Sequence, residues 1–169
     1  MRENARAFLI ALLLALAIRQ LVVQAYKFPP ISVRLLKDIR RGDHVLCLKT
    51  EYLFGRPTRG DLVMFRSAAN EDLVSRVIGL PGETVRLANG MVTIDDRDLL
   101  EMYVLLPAPY DYSVRVPSDD VFVLPDLRTA SAGSPLWGTI SRQDIYGRAW
   151  LRYWPIARIG LVERPLYAD

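Results

Sequence analysis

Ser75 heads the run Ser75-Arg-Val-Ile-Gly-Leu-Pro-Gly-Glu-Thr-Val85, and its residue type limits what that run can do. A serine hydroxyl stays protonated at any working pH, so Ser75 offers no proton affinity to a reacting group. By the two-residue period of a strand, Leu73, Ser75 and Val77 share one face. An amine on that face would titrate low, because burial among apolar groups penalises its charged form. Other chemistry-bearing residues are sparse. The single cysteine, Cys47, excludes an intrachain disulfide, and within His44-Val-Leu-Cys-Leu48 it reads as a strand core residue rather than a reactive thiol. One His and one Cys leave no cluster with zinc spacing, so neither a metal nor another cofactor is expected. Lys27, Lys37 and Lys49 are the only lysines.

The elements that must position these residues are legible in the pattern of apolar runs. At 169 residues the chain is one domain with an appendage, long enough to bury a core without staples. Its 22 basic and 19 acidic residues give a net charge of +3 with no basic block, which argues against nucleic acid as a partner. Residues 7–18 carry no charge, and after Arg19-Gln20 the apolar character resumes at Leu21-Val22-Val23, so 7–23 approaches bilayer length if Arg19 snorkels. A cleavable signal peptide ending at Ala15-Leu-Ala17 and a buried amphipathic helix are the competing readings. Beyond Pro30, short β-type runs alternate with turn formers: 45–49, 62–65, 73–78, 84–87, 91–94, 114–116, 121–124 and 145–153. Asn89-Gly90 between two alternating runs signals a hairpin. The fold class is therefore mainly β, with antiparallel sheets and no internal repeat.

The run at Ser75, the N-terminal apolar segment and the stretch Tyr26-Lys-Phe-Pro-Pro-Ile-Ser32 together resemble type I signal peptidase, the membrane serine protease of the Ser/Lys dyad class. The resemblance spans nearly the whole chain, including Gly60-Asp61, Arg76 to Val85 and Gly147 to Leu161. It implies an antiparallel β domain over 27–169 and a retained transmembrane anchor helix over 1–26. It aligns Pro29-Pro-Ile-Ser-Val33 with the family's Pro-Ser-Gly-Ser-Met box, which makes Ser32 the candidate nucleophile and puts Pro30 at a serine of the oxyanion hole. Proline brings neither a hydroxyl nor an N–H there. Ser75 falls at the position of the general-base lysine. Pro125-Asp-Leu-Arg-Thr-Ala-Ser-Ala-Gly-Ser-Pro135 resembles the box Gly-Asp-Asn-Arg-x-x-Ser-x-Asp-Ser-Arg. It keeps Asp126, Arg128, Ser131 and Ser134, makes Ser131 the candidate supporting serine, and has Gly133 where the family has a supporting Asp.

These departures fall at three separate places and point to a scaffold released from catalysis. The expectation is a degenerate, single-pass cell-membrane protein with its β domain extracytoplasmic. Its partners are membrane lipid and exported preproteins or secreted polypeptides, which it binds extended or helps to assemble. An active peptidase of divergent site and a structural subunit of a membrane complex are the alternatives. Trp150, Tyr153 and Trp154 are candidates either for the lipid interface or for sheet packing.

Overall fold

A computed structural model describes residues 4, 6–11, 23–27, 39–40, 42–66, 72–104, 111–128, 138–165 and 167. Residues 4 and 6–11 are helical, and among the described residues no helix is long and apolar enough to cross a membrane. Most of the apolar segment expected to form the anchor lies outside the described residues.

The β body is antiparallel, as expected, and consists of two sheets. The first runs in the order β1 (Val23–Lys27), β2 (His44–Leu48), β11 (Ile145–Trp154), β3 (Leu62–Arg66), β4 (Asp72–Gly79), β9 (Asp120–Leu124), β10 (Thr139–Ser141), with β12 (Gly160–Leu161) on β11. The second runs β7 (Arg97–Leu99), β6 (Met91–Ile94), β5 (Thr84–Ala88), β8 (Tyr112–Arg115). The expected runs are present, extended by a residue or two at several ends, while β2 stops before Lys49 and β8 before Val116. Added to them are the short strands β1, β7, β10 and β12 and a one-turn helix at Glu51–Phe54. Strand β1 sets Val23 opposite Leu48 and Lys27 opposite His44, so residues 23–26, expected at the end of the anchor helix, are sheet instead.

Alternation decides which face each side chain covers. From β3 and β4, Leu62, Met64 and Val74 join Val45, Cys47 and Ala149 in one cluster, while Val63, Phe65 and Val77 join Val121, Val123 and Ile145 in another. A third cluster, around Ile78, Val85, Val92 and Phe122, joins the two sheets. Gly79 stands where β4 leaves the first sheet for the second. A Cβ there would lie 2.4 Å from Val85 Cγ2, so only glycine permits the crossing. The hairpin at Asn89-Gly90 has both central residues at positive φ, 51° and 80°, as a tight two-residue turn requires.

Cys47 is fully buried, and burial pushes its thiol up to about 12, which agrees with an inert core residue. Trp154 is half exposed at the end of β11, whereas Trp150 and Tyr153 are half-buried in the strand.

Candidate functional site

Strand β4 brings two of the chain's informative residues side by side, facing opposite ways. Ser75 pairs across the ladder with Val63 and shares its face with Leu73 and Val77, in the cluster built from Val63, Phe65, Val123 and Ile145. It is 0% exposed, and among the described residues its Oγ finds no hydrogen-bond partner. A serine hydroxyl offers no proton affinity at working pH. The same apolar surroundings would hold an amine's pKa down. Ser32 and Ser131, the other two candidate residues, lie outside the described residues, as do Pro30 and Gly133.

Arg76 points the other way and is fully buried. Its Nε and Nη2 donate to Asp126 Oδ1 and Oδ2, each at 2.8 Å, and its Nη1 donates to the Gly60 carbonyl at 3.0 Å. The guanidinium carbon also lies 4.4 Å from the centre of the Tyr103 ring, a cation–π contact. A two-point fork onto a carboxylate needs arginine's planar geometry and excludes lysine as a substitute. Three sequence boxes therefore meet at this guanidinium: Gly60-Asp61, the run after Ser75, and Pro125 to Arg128.

A second buried pair continues the network. Arg128 donates to Glu101 at 2.7 and 2.6 Å and to the Pro125 carbonyl at 3.2 Å. Burial works to lower the pKa of Arg128, but hydrogen bonding to Glu101 and the charge of that carboxylate outweigh it, so the guanidinium is held charged. Tyr103 donates to Glu101 at 2.6 Å and meets the Tyr167 hydroxyl at 3.0 Å. Burial first, then the charge of Glu101, raises the Tyr103 phenol well above its ordinary value.

Asp61, also fully buried, accepts from Tyr52 OH at 2.8 Å, from Thr58 N at 2.9 Å and from the Arg164 guanidinium. Sequence reasoning did not single out Glu101, Tyr103, Arg164 or Tyr167. The one available signal is Glu101 itself, a lone charge inside the apolar run 99–106, since a carboxylate is seldom buried without a partner.

Surface cavities of about 280 Å³, lined by Leu80, Pro81, Asp120 and Arg142 among others, and about 540 Å³, lined by Arg59, Glu83, Arg97 and Tyr167 among others, do not include Ser75. Among the described residues no group of His, Cys, Asp and Glu could hold a metal ion.

Residues 1–154 match the family described as signal peptidase, peptidase S26. The chain belongs to this family. Over 173 residues it is 36% identical to a signal peptidase I from Leptolyngbya laminosa, covering 96% of this chain and 84% of that one. Thylakoidal processing peptidase 1 of Arabidopsis thaliana is 28% identical over 170 residues, 93% of this chain and 49% of the relative. A Staphylococcus aureus protein named inactive signal peptidase IA is 26% identical over 161 residues, 90% of this chain and 91% of the relative. The signal peptidase family thus includes a relative whose name declares it inactive.

Proposed function

We propose that this signal peptidase family member is a membrane protein with little or no peptidase activity, whose β domain binds extended secreted polypeptide close to the membrane or assists its assembly. The observation that carries this reading is Ser75: a fully buried hydroxyl, without a partner among the described residues, at the position that the sequence resemblance gives to the family's lysine. A serine in place of the amine brings no proton acceptor of its own. Pro30 and Gly133 add the loss of an oxyanion donor and of a supporting carboxylate. Removing a member of a comparable nucleophile and base pair lowers turnover on the order of 10⁶-fold. The polypeptide-binding role rests on the sheet architecture, because extended peptides add to strand edges by main-chain hydrogen bonds without any catalytic group. The apolar N-terminal segment supports retention in the membrane, with the β domain on the extracytoplasmic side.

The test is cleavage of a preprotein bearing an A-x-A site by the full chain in detergent, with Ser32→Ala as control. The expected result is an intact preprotein with either form, alongside saturable binding of the unfolded secreted polypeptide measured by fluorescence anisotropy. Cleavage abolished by Ser32→Ala would replace this reading with an active peptidase of divergent site. An absence of both cleavage and binding would favour a structural subunit.

A further inference from the structure

The matched family segment ends at residue 154, yet the chain beyond it returns to the centre of the fold. Val162 is buried in the cluster of Val45, Cys47, Met64 and Val74, and its N–H donates to the Trp150 carbonyl at 2.8 Å. Two residues on, the Arg164 guanidinium spans two carboxylates, donating from Nη2 to Glu51 at 2.7 Å and from Nε to Asp61. Glu51 is held from its other side by Arg148 at 2.6 Å. Pro165 and Tyr167 then lie directly on Gly60. A Cβ at Gly60 would sit 3.0 Å from Tyr167 Cε2 and 3.1 Å from Pro165 Cδ, and the residue's φ of +91° also favours glycine. The Tyr167 hydroxyl ends the path at Tyr103, whose ring lies against Arg76.

What lies beneath this segment is the backbone that fixes β4. The Gly60 carbonyl accepts from Arg76, the Gly60 N–H donates to Val77 O at 2.8 Å, and the Val77 N–H donates to Asp61 O at 2.9 Å. Gly60 and Asp61 thus grip β4 at the two residues that follow Ser75, and the C-terminal segment grips Gly60 and Asp61 from outside.

We infer that Val162, Arg164, Pro165 and Tyr167 form a strap that positions β4, and with it residue 75, by clamping Gly60–Asp61 onto Arg76 and Val77. Arg164 and Tyr167 are positioning residues: they act on the strand through Asp61, Gly60 and Tyr103. Their role does not depend on whether the site is catalytic.

A strap acting locally predicts local loosening. Amide hydrogen exchange on the full chain in detergent would be compared at Gly60 and Val77, beneath the strap, and at Asp43 and Arg142. Those two reference amides donate to Arg40 O and Asp119 O, outside the strap's contacts. Arg164→Gln and Tyr167→Ala should each speed exchange at Gly60 and Val77 by about 10- to 100-fold, the scale of one lost charge-assisted or buried contact, while Asp43 and Arg142 hold their rates. Tyr167→Phe keeps the ring on Gly60 and should retain most of the protection that Tyr167→Ala loses. Equal acceleration at all four amides would reduce the segment to general stabilisation and overturn the proposal, as would no change at Gly60 and Val77. Should Arg164→Gln fail to fold, the contrast between Tyr167→Phe and Tyr167→Ala decides.

Discussion

The Ser75 hydroxyl is an unusual group to find in an apolar cluster, since it has no partner among the described residues and a buried unpaired donor costs about 1 to 3 kcal/mol. Replacing it by alanine removes that cost and very little volume. Ser75→Ala should therefore leave stability unchanged or raise it by about 1 kcal/mol, against the usual trend in which core substitutions destabilise. Urea or thermal unfolding in detergent measures this. A loss larger than about 1 kcal/mol would show that the hydroxyl has a partner after all. At this scale the sequence was partly legible. The two-residue period placed Ser75 with Leu73 and Val77, and the structure puts all three on one face. The fork from Arg76 to Asp126 was not legible, because it joins residues 50 apart and no local pattern encodes a pairing at that distance.

Strands with strong alternation were readable, and those held only by pairing were not. β3, β4, β9 and β11 carry runs of β-branched and aromatic residues, whereas β7 is Arg-Asp-Leu and β12 only Gly-Leu, too short to show a period. The hairpin between β6 and β7 turns on Asp95-Asp96, both at positive φ, a rarer solution than Asn-Gly and correspondingly harder to foresee. Strand β4 also shows how exposure sets the worth of an ion pair. Its Arg76–Asp126 pair is fully buried, while Asp72 pairs with Arg66 at the exposed hairpin end, at 3.0 Å. Asp126→Asn leaves a buried guanidinium uncompensated and should cost about 3 to 5 kcal/mol. Asp72→Asn removes a solvent-screened pair and should cost less than about 1 kcal/mol. Chemical denaturation of the two variants checks the ranking. Equal losses would mean that the buried network is not what fixes β4.

Across the whole molecule, the proposed alignment draws the peptidase site from three separate stretches of chain, so on that proposal activity returns only when all three are changed together. Ser75→Lys places an amine on the face shared with Leu73 and Val77, where burial lowers its pKa toward the range of a usable base. That change alone should give little activity, because one missing oxyanion donor is worth about 10² to 10³ in turnover. Adding Pro30→Ser and Gly133→Asp should raise Ser32-dependent labelling by a serine-reactive acylating probe above the single variant. The gain should be more than additive, since groups that act as one unit are strongly coupled. Placement of the Ser32 hydroxyl is the demanding element, as a misplacement of about 1 Å can cost 10²-fold. The strap bears on the same outcome, because a lysine at 75 is only as well aimed as the strand that carries it. Combining the triple variant with Tyr167→Ala should lower the labelling rate while leaving its dependence on Ser32 intact. A folded triple variant with no Ser32-dependent labelling between about pH 7 and 10, a bracket spanning depressed and reference lysine pKa values, would separate Ser32 from residue 75 and end the assignment of both to one site.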